Sequence, residues 1–218
     1  MTSSRRSRRE RALNNNIEDE LARRQILALT DRALRNADVT GVIPTPLDVV
    51  AKTAGITEVI DISRLPADIA ARKPRAMKRV LGALLHRERV ALVDRSQCTP
   101  RVRLTEAHEI GHKIIPWHEA AFQLDDEERL LGKTRDQLER EAYLAGGHLI
   151  FQGEHFWQRA LDYKVSIGTP IVLAPEYGAS LHAAIRYYAL HHPDPVAVLV
   201  AGRYQQPDGS VPVWESVD

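Results

Sequence analysis

Apolar residues recur at helical spacing along much of the chain, so helices are its main predicted elements. A stripe of this kind lets one face of a helix bury against a core. Threonine and serine caps mark starts, and glycine or proline marks ends. The pattern predicts a helix starting at Ile17, followed by helices over residues 46–55, 101–115, 134–151, 169–178 and 180–191.

Short β-rich runs predict a small sheet beside these helices. Residues 80–86 and 90–94 are separated by three charged residues, a spacing typical of an antiparallel hairpin. Residues 59–62 form a further candidate strand. Residues 196–201 form another, followed by a turn and a return over 211–214. The elements together predict an α+β fold, mainly helical, with a small antiparallel sheet.

The first 16 residues differ from the rest of the chain in composition. Five arginines lie between Arg5 and Arg11, among serines and without apolar partners. Such a block cannot bury surface, which predicts a disordered basic tail. A weak phosphate-binding arm is the functional alternative for this tail. Residues 17–218 are predicted to form one domain, with 169–201 as a C-terminal helical pair plus strand.

Charge and cysteine content narrow the class of protein. Thirty Lys and Arg residues against 29 Asp and Glu residues leave a net charge of +1, so no overall field selects nucleic acid. Direct nucleic-acid binding is therefore not expected. No apolar run is long enough for a membrane span, and the single Cys98 cannot form an internal disulfide. These features predict a soluble, cytoplasmic protein without a membrane partner.

The motif His108-Glu-Ile-Gly-His112 lies inside a predicted helix and carries the chemistry of the sequence. Residues four apart share one helix face, so both imidazoles can reach a single metal ion. Zinc bound by three protein ligands keeps a fourth position for water and lowers the pKa of that water to about 7. Glu109 lies about 100° around the helix and is the predicted general base for hydrolysis of a peptide bond.

A third protein ligand is expected on the helix over residues 134–151. Glu139 and Glu141 are the candidates, and they point about 200° apart, so at most one can coordinate. Helical periodicity does not choose between them. A row of small residues, Ala142 and Gly146, gives Glu139 a mild preference because it would let the two helices approach closely. For Glu141, a solvent-exposed charge is the favoured interpretation.

Two segments resemble the metal site of the ImmA/IrrE-type zinc metallo-endopeptidases. Residues 101–112, RVRLTEAHEIGH, are similar to the segment that carries that family's first two ligands. Residues 139–150, EREAYLAGGHLI, are similar to its E-x-x-A-N-x-F-A-A-x-L-L-M-P element. The first glutamate of that element is the third zinc ligand, which maps onto Glu139. Weaker similarity extends over residues 17–201 and includes the helix at 46–55, the hairpin and residues 177–186.

The resemblance implies a zincin-like domain with an HExxH active-site helix. It also implies zinc-dependent, site-specific cleavage of a helix-turn-helix transcriptional repressor in a phage, mobile-element or stress circuit. Tyr143 stands where the family usually has Asn, Ala145 where it has Phe, and residues 151–152 are Phe-Gln instead of Met-Pro. These departures motivate an alternative, a regulatory protein that binds a repressor or partner through the same fold without hydrolysis.

The tetrahedral intermediate of peptide hydrolysis needs a group that stabilises its oxyanion. The sequence leaves five candidates unranked: Tyr143, Tyr177, His182, Tyr187 and Tyr188. His118, beyond Pro116, is not expected to be a metal ligand.

Overall fold

The computed structural model describes residues 3–64, 81–124, 132–194 and 196–197, with side chains from residue 20 and excluding 122–134. Helices dominate the described chain, and a three-stranded sheet accompanies them. The α-helices are α1 (Ser3–Asn36), α2 (Leu47–Thr53), α3 (Thr99–Ile114), α4 (Pro116–Leu124), α5 (Gly132–Phe151), α6 (Glu154–Ala160), α7 (Gly168–Glu176) and α8 (Leu181–His191). The strands are β1 (Glu58–Asp61), β2 (Gly82–Leu85) and β3 (Val90–Val93), and a short 3-10 helix spans Ile62–Arg64.

The sheet is mixed, which corrects the prediction of a purely antiparallel one. Strands β2 and β3 form the expected antiparallel hairpin, with Leu85 opposite Val90. Strand β1, however, pairs in parallel with β3, with Glu58 opposite Val90, and the strand order is β1-β3-β2. The alternation of apolar and polar residues along a segment indicates that the segment is an extended strand. The direction of pairing depends on a long connection that local patterning does not report.

Helices α3 and α5 make the largest interhelical contact in the described chain. Two glycines allow it. A Cβ atom on Gly111 would lie 2.8 Å from the carbonyl oxygen of Ala142, and one on Gly146 would lie 3.0 Å from the backbone nitrogen of His108. The predicted row of small residues on α5 therefore faces α3, and the two backbones approach closely enough for side chains of both helices to meet.

A buried core surrounds this helix pair. It draws on Leu34 of α1, Val50 of α2, Ala91 of β3, and an aromatic group from the C-terminal helices. That group consists of Phe151, Phe156, Tyr177 and Tyr187, whose rings pack against one another. Residues of both helices, among them Ile110 of α3 and Leu149 of α5, belong to this core, so apolar burial holds the two helices together.

Gln152, one of the departures from the family pattern, has a defined packing role. Its side chain is buried and its amide nitrogen donates hydrogen bonds to the carbonyl oxygens of Val39 and Val42 and to Oγ1 of Thr45. Its amide oxygen accepts a bond from the backbone nitrogen of Gly41 at 2.6 Å. Gln152 thus ties the connection between α1 and α2 to the end of α5.

The structure also differs from the predicted helix bounds. The backbone of α1 is helical from Ser3, whereas the sequence pattern predicts a helix only from Ile17. Side chains before residue 20 lie outside the described part, and the disordered basic tail over residues 1–16 stays a prediction. The sequence pattern does not predict helices α4 and α6. Pro116 was expected to end the preceding helix, but proline is also favoured in the first turn of a new helix, and α4 starts there. Helix α6 starts at Glu154, directly after Gly153.

Several predicted features cannot be compared with the structure. The second C-terminal strand, over 211–214, lies outside the described residues, as does most of the strand predicted over 196–201. The division of the chain into a tail and one domain stays a prediction. Within the described ranges, no helix combines the length and hydropathy that crossing a bilayer requires.

Candidate metal centre

Helix α3 carries three of the predicted site residues in its buried C-terminal half. It starts at Thr99 with Pro100 in its first turn, where the missing N–H costs nothing. His108, Glu109 and His112 are all buried, at 7%, 4% and 5% exposure. The Nε2 atoms of His108 and His112 lie 3.1 Å apart, as helical spacing of four residues predicts.

Helix α5 brings Glu139 to the two imidazoles. Its Oε2 atom lies 3.1 Å from Nε2 of His108, and its Oε1 atom lies 3.9 Å from Nε2 of His112. The three side chains each offer a ligand atom, and these atoms lie within 4.8 Å of one another. Ligands of a tetrahedral zinc ion at bond lengths near 2.1 Å are about 3.4 Å apart, so the observed separations suit one ion.

The close approach of the three ligand atoms also requires a proton or a cation between them. Nε2 of His108 lies 3.1 Å from both His112 Nε2 and Glu139 Oε2, so one proton on it, or a metal ion in place of that proton, links all three groups. Without either, lone pairs would face one another. Among described atoms, Nδ1 of His108 is buried and has no hydrogen-bond partner. The set of two nitrogens and one carboxylate oxygen could therefore hold a metal ion.

Electrostatics keep the two ligand types in the states that a metal needs. Burial, together with the neighbouring His108 imidazole, holds the pKa of His112 well below its ordinary value, so this ring is neutral at pH 7. The hydrogen bond from His108 lowers the pKa of Glu139, which outweighs partial burial, so Glu139 is ionised. Neutral imidazole and carboxylate are the forms that coordinate metal ions.

Glu109, the predicted general base, lies beside the group but is not one of its three members. Burial, with a smaller contribution from the charge of Glu139, raises the pKa of Glu109 to about 8. Strand β2 makes room for this carboxyl group, because a Cβ atom on Gly82 would lie only 2.6 Å from its Oε1 atom. The hairpin therefore sets one wall of the site, and glycine is the residue that fits there.

His118 and Glu141 form a buried chain behind His112 that sequence reasoning missed. Nδ1 of His118 lies 2.9 Å from Nδ1 of His112, and Nε2 of His118 lies 3.0 Å from Oε2 of Glu141. Glu141 is 7% exposed, so its interpretation as a solvent-exposed charge is wrong. His118 is outside the ligand group, as expected, yet it contacts a member of it. The sequence carries no signal for this contact, because its pattern predicts no helix at His118 and places Glu141 beside the apolar stripe of its own helix.

The structure separates the five candidates for oxyanion stabilisation. The ring of Tyr143 lies 4.3 Å from the ring of His108 and is exposed, so it borders the open side of the group. His182 is exposed on α8. Tyr177, Tyr187 and Tyr188 are buried in aromatic packing, and the hydroxyl of Tyr177 pairs with Nδ1 of His155. Tyr143 is the candidate whose place fits the role.

Comparison with known proteins identifies no family for this chain. No model of a known protein family matches the chain, and no curated protein matches it. The chemistry of the site is therefore inferred from its own residues.

Proposed function

We propose that the protein is a zinc-dependent endopeptidase in which His108, His112 and Glu139 hold the ion and Glu109 is the general base. The observation that carries the proposal is the convergence of three ligand atoms, from two helices, within 4.8 Å of one another and beside a buried carboxyl group. Two imidazoles and one carboxylate are the ligand set of many hydrolytic zinc sites.

The donor atoms favour zinc over the harder divalent cations. Imidazole nitrogen suits Zn²⁺, whereas Mg²⁺ and Ca²⁺ prefer sites made of oxygen ligands. When bound by three protein ligands, zinc supplies a position for water and lowers the pKa of that water to near neutrality. This leaves the handling of protons to the residues around the ion.

Glu109 is suited to take up and return a proton. Its pKa of about 8 without metal lies close to working pH, and the positive charge of an ion would stabilise its ionised form. Its neighbour on the sheet side, Gly82, leaves its carboxyl group unobstructed by a side chain. In the proposed reaction Glu109 accepts a proton from water and donates it to the leaving amine.

The proposed substrate is a helix-turn-helix transcriptional repressor, cleaved at one site in a phage, mobile-element or stress circuit of the cytoplasm. This part of the proposal rests on the resemblance of residues 101–112 and 139–150 to the ImmA/IrrE-type peptidases. The geometry supports it only as far as the group that both segments bring together.

The decisive variant is Glu109→Gln, which removes the base and leaves the three ligands in place. Purified variant and wild type should both hold one equivalent of zinc by elemental analysis. Only the wild type should cleave the helix-turn-helix repressor encoded nearest its gene, followed by intact mass, and the variant should lose at least about 100-fold in rate.

Glu119→Gln is the matched control for this experiment. The carboxylate of Glu119, on α4, pairs with Lys113 of α3, with 3.2 Å between Oε2 and Nζ. The variant that lacks this carboxylate should retain both zinc and cleavage. Full cleavage by Glu109→Gln would contradict the assigned base. Wild-type protein without zinc after purification in metal-replete buffer would contradict the metal site.

A non-hydrolytic regulatory protein is the second candidate function. It is favoured by the residue at position 143, where Tyr143 stands in place of the asparagine that is usual in the family that the two segments resemble. In that case, metal-loaded wild type would form a stable complex with the repressor, and the masses of both chains would stay intact.

A further inference from the structure

Helix α4 places a fully buried histidine directly behind one ligand of the proposed metal centre. His118 is 0% exposed and lies between His112 and Glu141. Glu141 in turn accepts hydrogen bonds from Nε1 of Trp117 at 2.6 Å and from Nε2 of Gln137 at 2.9 Å. Both oxygens of this carboxyl group are therefore engaged, which fixes its orientation.

When the rings of His118 and His112 are both neutral, the chain of contacts has one consistent arrangement of protons. An ionised carboxylate only accepts, so Nε2 of His118 must carry the proton that it donates to Glu141. A neutral His118 then has a bare Nδ1 atom, which must accept from Nδ1–H of His112 at 2.9 Å. The neutral ring of His112 is left with a bare Nε2 atom, the same atom that faces His108 and Glu139.

We propose that Glu141 and His118 are positioning residues that hold His112 in the tautomer able to bind a metal ion. The proposal deepens the metal-binding part of the proposed function and rests on it. A ligand imidazole whose other N–H donates to a fixed acceptor is oriented and more basic, and loss of such a partner typically weakens metal affinity 10–100-fold.

Three neighbouring side chains hold the carboxyl group of Glu141 in place. Nε2 of His118, Nε1 of Trp117 and Nε2 of Gln137 all lie within hydrogen-bond distance of its two oxygens. By contrast, Nδ1 of His108 has no hydrogen-bond partner among described atoms. His112 is thus the ligand whose orientation is set from behind, and it belongs to the helix turn next to α4.

The first experiment measures zinc affinity by competition with a chromophoric chelator at pH 7.5. Glu141→Met keeps the length of the side chain and removes both acceptor oxygens, and it should weaken affinity 10–100-fold. Glu141→Gln keeps one carbonyl oxygen that can accept from His118, so its affinity should lie between those of Glu141→Met and wild type. Glu119→Gln, which removes the carboxylate on α4 that pairs with Lys113, should bind zinc as wild type does.

The second experiment reads the tautomer in metal-free protein by long-range ¹H–¹⁵N correlation spectroscopy of the histidine rings. In wild type, His112 should be protonated at Nδ1 alone. His118→Phe removes the acceptor and keeps the ring volume, and both it and Glu141→Met should shift His112 toward the Nε2–H form. Circular dichroism checks that each variant is folded, and Glu141→Met suffices if His118→Phe is not.

The outcomes distinguish this inference from the proposed function. Wild-type affinity in Glu141→Met, or a His112 ring protonated at Nε2 in the wild type, would overturn it. A weakened affinity together with the shifted tautomer would support it even if wild-type protein cleaved no substrate, a result that would contradict the peptidase proposal alone.

Discussion

At the scale of single residues, the environment decides what each carboxyl group of the site can do. Glu139 is ionised because His108 donates to it, and Glu141 because three donors surround it. Glu109 is buried, and the charge of Glu139 is close to it, so the pKa of Glu109 rises. Three glutamates within two helices therefore suit three different proposed roles: ligand, positioning residue and base.

The raised pKa of Glu109 predicts how stability depends on pH in metal-free protein. Between pH 4.5 and about 8, the folded protein keeps a proton that the unfolded chain has lost, so the free energy of unfolding falls as pH rises. Glu109→Gln removes this loss. The variant should match wild type near pH 4.5 and exceed it by up to roughly 4 kcal/mol at pH 8.

Urea unfolding with a chelator present, at pH 5, 6.5 and 8, measures this effect. Glu119→Gln should show the wild-type dependence on pH, because its carboxylate lies outside the buried site. Parallel curves for Glu109→Gln and wild type would show that Glu109 is not held protonated by its surroundings.

At the scale of elements, the close contact of α3 with α5 is what turns two sequence segments into one site. The contact depends on glycine at two positions where a methyl group would meet backbone atoms. Because His108 and Glu139 lie on opposite sides of this contact, a small increase in helix separation also moves their ligand atoms apart. Helix packing and the proposed metal binding are therefore expected to be coupled at Gly146.

Gly146→Ala should separate the two helices, since its Cβ atom would lie 3.0 Å from the His108 nitrogen and 3.1 Å from the Ala107 carbonyl carbon. We expect a loss of about 1–3 kcal/mol in the free energy of unfolding and weaker zinc binding. Gly147→Ala is the matched control, because its Cβ atom would lie 4.0 Å from Tyr187, an ordinary contact.

In a helix, replacing glycine by alanine otherwise stabilises by about 0.5–1 kcal/mol, so the two neighbouring variants should change stability in opposite directions. Thermal and urea unfolding measure both. Equal effects of the two substitutions would show that the helices do not meet at Gly146 as closely as described.

At the scale of the whole molecule, polar pairs tie the long helix α1 to the C-terminal half of the chain. Nε2 of His148 on α5 donates to Oδ1 of Asp31 at 2.7 Å. About two turns closer to the N-terminus of α1, Arg23 donates to Nδ1 of His191 on α8 at 3.1 Å. The hydrogen bond from His148 lowers the pKa of Asp31, and burial lowers that of His191 to about 4.

These shifts predict that acid weakens the molecule. Between pH 6.5 and about 4, the unfolded chain binds a proton at His191 that the folded protein excludes, so stability falls as pH falls through this window. His191→Gln can still accept from Arg23 but does not titrate. Its free energy of unfolding should fall less than that of wild type between pH 7 and pH 4.5.

Urea unfolding at several pH values, with a chelator present, measures the free energy of unfolding of both proteins. Subtracting one from the other cancels the titration of the groups that they share. His182→Gln, which changes an exposed histidine on the same helix, should follow wild type. An equally steep loss in His191→Gln would contradict a buried neutral imidazole at this contact.

Local patterning determined the helices on which the site is built and the face that His108 and His112 share. Both follow from a periodicity of a few residues, which depends on the chain alone. The hairpin of β2 and β3 was predictable for the same reason, since a short turn sets its direction.

Tertiary structure alone decided which glutamate joins the histidines, which lies behind them, and how β1 pairs. Periodicity places Glu139 and Glu141 on opposite sides of one stripe, and only the packing of α5 against α3 and α4 distinguishes the sides. His118 gained its contact with His112 because the chain turns at Pro116 and starts a helix there. Such relations join residues through space, and no short-range pattern encodes them.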